Sequence, residues 1–192
     1  MAGRRRVEGV FLAPGAGGDS THHTLRSLVG ALDPLPVHLM DFPYRLAGRR
    51  APDRAPVLVE AMRTELERFR ERLGVRDTSR IVLGGRSMGG RISSILAAGG
   101  QPCRVLALLS YPLHPIGRPE KLRIDHFGEI GVPVLFLSGD RDNFGSPEEF
   151  GRHVGVIAGP VTQRWIAGGR HDPAGADDEI GVIVGEWVHS IR

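Results

Sequence analysis

The fold is decided by the stretch IVLGGRSMGG at residues 81–90, in which a short apolar run leads directly into a glycine-rich segment around Ser87. Residues 85–89 have the pattern Gly-x-Ser-x-Gly. In this pattern the serine lies in a sharp, strained turn between a strand and a helix, and glycines flank it because larger side chains would collide. The turn exposes the serine hydroxyl above the sheet, next to the N-terminal end of the helix. The stretch therefore predicts a nucleophilic Ser87, with a structural glycine-rich turn and an N-cap serine as the alternative.

Outward from this turn, short apolar runs alternate with longer helical patterns along the chain. The predicted strands are Val7–Ala13, Val37–Phe42, Arg80–Gly84, Val105–Leu109, Val134–Leu137 and Val161–Ile166. The predicted helices are His23–Leu32, Val57–Leu73, Gly90–Ala98, Pro147–Val154 and Asp177–His189, with a loop at Pro43–Pro56. Such alternation predicts a parallel sheet with helices on both faces, and ligands bind these sheets at the carboxyl ends of the strands.

Two helix boundaries can be predicted from single residues. Pro56 suits the first turn of the helix Val57–Leu73, and Gly74 suits the position just after its last turn. For the helix that begins near His23, a hydroxyl side chain at Ser20 or Thr21 is the expected N-cap.

Composition excludes several classes of protein. The chain has 192 residues, of which 41% are hydrophobic and 24% charged, and this suits a single globular domain over residues 1–192. A lone cysteine, Cys103, excludes an internal disulfide and a four-cysteine zinc site. The net charge is +3, and the arginines are scattered among 22 acidic residues with no basic stripe for nucleic acid. No apolar run is long enough for a signal peptide or a spanning helix, so we expect a cytoplasmic protein without membrane or nucleic-acid partners.

A nucleophilic serine needs a base and an acid that orients the base. With an elbow of this kind the chain order is serine, then aspartate or glutamate, then histidine. The fifth predicted strand is followed by Asp140 and Asp142, and we favour Asp142 because it ends the spacing Gly-x-x-Asp, with Asp140 as a turn residue. After the sixth strand comes His171, next to a Gly168-Gly169 pair that we expect to let it swing toward Ser87.

The turn after the first strand is expected to complete an oxyanion hole. It reads Pro14-Gly15-Ala16-Gly17, and we assign the backbone N–H groups of Ala16 and Met88 as the two donors. The same turn does not suit a nucleotide phosphate. Ser20 stands where a Gly-x-Gly-x-x-Gly motif needs glycine, and no Gly-Lys-Ser/Thr sequence follows. We therefore expect no cofactor and no metal ion.

Six segments carry a resemblance to a known group: Pro14–Asp19, Phe42–Arg45, Gly48–Pro56, Gly84–Arg91, Ser110–Pro115 and Pro119–Arg123. On these segments the chain resembles the α/β-hydrolase superfamily, related to dienelactone hydrolases. Within it, the chain is similar to the branch that contains testis-expressed protein thirty and the third regulatory subunit of the NSL acetyltransferase complex. The resemblance implies a minimal α/β-hydrolase fold with sheet order 2-1-3-4-5-6 and no lid domain. Many members begin the oxyanion turn with His-Gly, where this chain has Pro14-Gly15.

The predicted function is that of a serine hydrolase that cleaves small carboxylic ester or thioester substrates through Ser87, His171 and Asp142. The alternative is a non-catalytic binding or scaffold module that uses the same fold, since this branch contains complex subunits. A peptidase is disfavoured because the chain contains no gating domain. Haloperoxidase-like side activity remains open.

Three further residues are candidates for contact with substrate. Tyr44 and His114 follow predicted strands and are candidates for the pocket wall, with structural roles as the alternative. Arg86 lies next to Ser87 and could attract an acidic ester, together with the loop arginines at positions 45, 49, 50 and 54. Solvated surface arginines in an arginine-rich chain are the other interpretation of this group.

Overall fold

The computed structural model describes residues 6–191, which contain one six-stranded parallel sheet with the order β2-β1-β3-β4-β5-β6. The strands are β1 (Gly9–Ala13), β2 (Val37–Leu39), β3 (Ile81–Arg86), β4 (Val105–Leu109), β5 (Val134–Gly139) and β6 (Val161–Ile166). The α-helices are α1 (His23–Ala31), α2 (Pro43–Leu46), α3 (Ala55–Leu73), α4 (Met88–Ala98), α5 (Pro147–His153) and α6 (Asp177–Ser190). This is the α/β-hydrolase fold, and the predicted strand order is confirmed.

The sheet separates two hydrophobic cores, as expected for a sheet that is covered on both faces. Along β3 the side chains alternate, with Ile81 and Leu83 in one core and Val82 in the other. The first core contains side chains of α3, α4 and α5, and the second contains side chains of α1 and α6. Because the four central strands are buried over nearly their whole length, their sequences are almost continuously apolar.

The best-defined helix agrees with its sequence pattern. The apolar stripe of α3 is buried, Pro56 lies in its first turn, and Gly74 ends it with a left-handed φ of 67°. Helix α4 starts at Met88, two residues before the predicted start, because the elbow passes into the helix without a connecting loop.

Two local predictions are wrong. Helix α1 follows His22 and has no side-chain cap, so neither Ser20 nor Thr21 is its N-cap. Instead the Ser20 hydroxyl donates to the Asp41 carboxylate at 2.7 Å, because that charged acceptor lies at the same edge of the sheet. The segment Pro43–Pro56 is not entirely loop, since it contains the short helix α2 and the start of α3. Within residues 6–191, we find no helix with the length and apolar character needed to span a membrane.

Candidate active site

Ser87 occupies a strained position at the carboxyl end of β3. Its backbone has φ 51° and ψ −119°, a region that costs a non-glycine residue about 1–3 kcal/mol. The glycines around it are required by close backbone contact. A Cβ atom at Gly85 or at Gly89 would lie 2.2 Å from the carbonyl oxygen of Ala13 in β1. The Gly-x-Ser-x-Gly pattern therefore reflects the tight approach of the elbow to the neighbouring strand.

The structure brings Ser87 together with His171 and Asp142. His171 Nε2 lies 2.9 Å from Ser87 Oγ, and His171 Nδ1 lies 2.8 Å from Asp142 Oδ2. The carboxylate cannot donate a proton to the ring when it is ionised, so Nδ1 carries the hydrogen and Nε2 is free to accept one from the serine. These three side chains thus form a continuous hydrogen-bonded chain from a buried acid to a half-buried hydroxyl that lines a cavity.

Asp142, not Asp140, contacts the histidine. The Asp142 side chain is 1% exposed, and its Oδ1 also accepts a hydrogen bond from the Phe144 amide at 2.9 Å. That second bond holds the carboxylate in place, as burial of a charge requires. Asp140 does not reach His171, and its Oδ1 is buried without a hydrogen-bond partner.

Several contacts hold the loop that carries His171 in the position seen in the structure. The Gly169 carbonyl accepts a hydrogen bond from the Arg141 amide at 2.8 Å, and a Cβ at Gly139 would lie 2.1 Å from that same oxygen. The Phe144 ring lies 4.1 Å from the His171 ring, centroid to centroid. Gly168 turns the chain with φ 69°. The glycine pair therefore serves a turn and a close backbone approach, and the expected swing of His171 toward Ser87 stays a prediction.

Arg86 fixes the other side of the histidine loop. Its guanidinium donates a hydrogen bond to the His171 carbonyl at 3.0 Å and lies 3.3 Å from Asp172. Burial alone would raise the pKa of Asp172, but Arg86 and the two histidines His22 and His23 lower it below its usual value. The Arg86 guanidinium therefore binds two groups of the histidine loop, the His171 carbonyl and the Asp172 carboxylate.

The two predicted oxyanion residues lie beside Ser87. Ala16 and Met88 both line the cavity that Ser87 opens into. In the part of the chain that the structure describes, neither backbone amide donates to a backbone carbonyl. The Ala16 peptide is held by Tyr44, whose hydroxyl donates to the Ala16 carbonyl at 2.7 Å. These amides are therefore available to a ligand oxygen.

This cavity has a volume of about 310 Å³. Apolar side chains and two arginines form most of its wall, and the lining residues are Ala16, Pro52, Asp53, Ala55, Leu58, Ser87, Met88, Arg91, Ile92, Pro112, Arg123 and Phe144. Sequence reasoning missed Arg91 and Arg123 as site residues. The signal for Arg91 was its position one helical turn beyond Ser87, whereas Arg123 has no local signal.

None of the three predicted substrate contacts lines this cavity. Tyr44 is fully buried and supports Ala16 as described above. His114 is 5% exposed and lies with Nε2 3.2 Å from Glu149, so it joins its own segment to α5. Arg86 holds the histidine loop. All three side chains contact other parts of the protein, and for Tyr44 and His114 these contacts agree with the structural alternative.

The loop arginines are partly neutralised by acids. Arg49 binds both oxygens of Asp53 at 2.8 Å, and this hydrogen bonding lowers the pKa of Asp53. Arg45 lies 3.6 Å from Asp19. Arg49 and Arg45 are therefore paired with acidic residues of the protein itself.

One group among residues 6–191 has a geometry that could hold a metal ion. His22, His23 and Asp172 offer ligand atoms that all lie within 4.8 Å of one another. Arg86 competes for Asp172, and burial followed by the positive charge of Arg86 lowers the pKa of His22. A cation would have to displace this guanidinium, so the group is better explained as an ion-pair cluster.

Comparison with known proteins identifies the family. The family described as "Alpha/beta hydrolase domain" matches residues 6–178, so the chain belongs to the α/β-hydrolase family. An alpha-beta serine hydrolase homologue from Coxiella burnetii has 20% sequence identity and a TM-score of 0.77, covering 94% of this chain and 85% of that chain.

Two further solved structures share the fold. Est1E from Butyrivibrio proteoclasticus, solved with ferulic acid bound, has 15% identity and a TM-score of 0.78, covering 98% of this chain and 91% of that chain. Dienelactone hydrolase from Anabaena variabilis has 15% identity and a TM-score of 0.73, covering 97% and 88%. At these identities the likeness is one of fold, and the chemistry must be argued from the residues.

Proposed function

We propose that this protein is a serine hydrolase that cleaves small carboxylic ester or thioester substrates through an acyl-enzyme. The observation that carries the proposal is the hydrogen-bonded chain from Asp142 through His171 to Ser87 at a strained elbow. A scaffold module has no need for a buried acid, a histidine with a fixed tautomer and a serine at the cavity wall, all within hydrogen-bond distance of one another. The names of the structural neighbours, a serine hydrolase homologue and a dienelactone hydrolase, support the same class.

In the proposed reaction, His171 Nε2 accepts the proton of Ser87 as Oγ attacks the substrate carbonyl carbon. Asp142 holds the Nδ1 proton and stabilises the imidazolium that forms. The amides of Ala16 and Met88 bind the oxyanion of the tetrahedral intermediate, and the loss of one such donor costs about 10²–10³-fold in kcat. The intermediate collapses as His171 returns the proton to the leaving alcohol or thiol. Water, deprotonated by His171, then attacks the acyl carbon. The bond from that carbon to Ser87 Oγ breaks as His171 returns the proton to Oγ, and the acid is released.

Cavity size supports small substrates. The volume of about 310 Å³ lies at the lower end of the range for small-molecule pockets. Apolar side chains such as Leu58, Pro112 and Phe144 would bury a short carbon chain.

We also propose that the chain belongs to the narrower branch of testis-expressed protein thirty and the NSL subunit. The segments Gly84–Arg91 and Ser110–Pro115 support this placement. Both segments lie at the site: Ser87 is in the first, and the second contains Pro112 of the cavity wall and the buried Tyr111.

Hydrolysis of 4-nitrophenyl esters and of acyl thioesters, from acetyl to hexanoyl, tests the proposal. Wild-type protein should turn over the short members, and Ser87→Ala should lower kcat by more than about 10³-fold. Ser190→Ala, at an exposed hydroxyl near the end of α6, is the matched control and should keep wild-type rates. Equal rates for wild type and Ser87→Ala would overturn the proposal and favour a non-catalytic module.

A further inference from the structure

Two arginines from different elements meet in the wall of the Ser87 cavity. Arg91 lies on α4, where its amide donates to the Ser87 carbonyl at 3.0 Å. Arg123 lies in the connection between β4 and β5, where its amide donates to the Leu113 carbonyl at 2.8 Å. Its own carbonyl accepts a hydrogen bond from the buried Tyr111 hydroxyl at 2.6 Å. Both backbones are thus fixed, and both side chains line the cavity.

These two guanidinium groups lack the acidic partners that several other arginines of the chain have. Arg49 binds Asp53, and Arg86 lies against Asp172. Over residues 6–191, no carboxylate lies within ion-pair distance of Arg91 or Arg123, and Arg91 Nε is buried without a hydrogen-bond partner. The acid in the cavity wall, Asp53, is already bound through both oxygens to Arg49.

The charge of Arg91 acts on two neighbouring groups, and the carboxylate of Asp125 opposes its effect on one of them, His126. Burial and then the charge of Arg91 lower the pKa of Arg123, and the same two causes lower the pKa of His126 to about 4. His126 is therefore neutral at pH 7 and does not add a third charge. Two half-buried like charges repel each other, and an anion placed between them would relieve the repulsion and form charge-assisted hydrogen bonds.

We propose that Arg91 and Arg123 recognise a carboxylate on the substrate, so that the enzyme prefers esters or thioesters that also carry a carboxylate group. This inference rests on the proposed hydrolase function. A planar guanidinium matches a carboxylate through two parallel hydrogen bonds, which a lysine cannot reproduce. The apolar wall at Pro112 and Phe144 would contact the short chain between the carboxylate and the scissile bond. The positive charges that distinguish an acidic substrate from a neutral one thus lie in the cavity wall, not on the loop of residues 45–54.

The kinetic test compares pairs of substrates that differ in charge. One pair places the carboxylate on the acyl side (4-nitrophenyl hemiglutarate against 4-nitrophenyl pentanoate), and the other places it on the leaving side (4-acetoxybenzoate against 4-acetoxybenzamide). In at least one pair, wild-type kcat/KM should favour the charged member by about tenfold or more, the effect of one charge-assisted contact. Arg91→Gln and Arg123→Gln should each collapse that ratio, and Arg123→Lys should recover part of it. Arg118→Gln, at an exposed arginine outside the cavity wall, should leave the ratio unchanged.

A binding measurement separates this inference from the hydrolase proposal. Ser87→Ala protein is titrated with glutarate and with neutral glutaramide by calorimetry or NMR, alone and combined with Arg123→Gln. Glutarate should bind at least several-fold more tightly than glutaramide, and Arg123→Gln should remove the difference. Hydrolysis of neutral esters without any charge preference in either pair would overturn the carboxylate inference and leave the hydrolase intact. Tight glutarate binding with no hydrolysis of any ester would overturn the hydrolase proposal and leave carboxylate recognition intact.

Discussion

The guanidinium of Arg86 donates a hydrogen bond to the backbone carbonyl of His171 at 3.0 Å, so the residue before the proposed nucleophile fastens the residue proposed as its base. The contact crosses from the end of β3 to the loop after β6. It explains why an arginine beside Ser87 turns away from the cavity. The geometry of the proposed triad therefore depends on a link that is separate from the hydrogen bonds among Ser87, His171 and Asp142.

Replacing Arg86 with glutamine should reduce kcat while KM changes little. The His171 carbonyl loses a charged donor worth about 1.5–3 kcal/mol, and the imidazole is then held less firmly against Ser87. We expect a loss of roughly tenfold in kcat for a neutral short-chain ester, with part of the rate recovered in Arg86→Lys. A change confined to KM would instead place Arg86 in substrate binding.

Asp142→Asn should lower kcat by about 10⁴-fold, because an amide in place of the carboxylate favours the wrong histidine tautomer. The matched variant Asp140→Asn removes a carboxylate of the same loop that does not touch His171, and it should cost less than tenfold. Rates of both variants on one ester decide between the two aspartates. A larger loss at position 140 would show that the assignment of the acid is wrong.

Gly89→Ala should destabilise the protein by more than about 2 kcal/mol. The added Cβ would lie 2.2 Å from the Ala13 carbonyl oxygen, and backbone cannot give way there as a flexible side chain could. Gly151→Ala in α5 is the control, since no atom lies within 4 Å of its added Cβ. That control should be neutral or more stable by up to about 1 kcal/mol. Urea unfolding of the two variants measures the contrast, and equal stabilities would contradict the close approach.

His126 should make the folded protein less stable as the pH falls from 7 to 5. Burial, followed by the charge of Arg91, lowers its pKa to about 4 in the folded chain, against about 6.5 when unfolded. Protonation in this window therefore favours the unfolded state, and the stability present at pH 7 is lost as the pH passes below 6.5. We expect a contribution of about 1 kcal/mol, because the partly exposed ring keeps some hydration.

The His126→Gln variant isolates this contribution. A glutamine can still bond to the Ser94 hydroxyl, which lies 2.7 Å from His126 Nε2, but it does not titrate. The drop in the free energy of unfolding between pH 7 and pH 5 should be smaller in the variant. Burial also lowers the pKa of His22 and of His38, so part of the drop should persist. An identical drop in both proteins would rule out His126 as a contributor.

The arrangement of the proposed triad could be predicted because parallel strands bring their carboxyl ends to one edge. Ser87, Asp142 and His171 each follow a strand that the apolar pattern marks clearly, so their meeting follows from topology. The need for glycine in the elbow could also be predicted, because the elbow approaches Ala13 in the adjacent strand closely.

Other features depended on partners far away in the chain. Because Tyr44 and His114 follow predicted strands, the sequence leaves a pocket role and a structural role open for both, and their polar atoms contact Ala16 and Glu149 inside the protein. Arg91 and Arg123 could not be separated from the many surface arginines, because what distinguishes them is a position in the cavity wall combined with the lack of an acid within ion-pair distance among the described residues. Such an absence is visible only once the fold has placed every carboxylate.

The most direct test of the central claim, an activated Ser87, is labelling with a fluorophosphonate probe followed by mass spectrometry. Wild-type protein and Ser190→Ala should each take up one probe molecule, mapped to Ser87. Ser87→Ala should take up none, although its circular dichroism matches the wild type. Folded wild-type protein that stays unlabelled, or an adduct on another residue, would contradict the account.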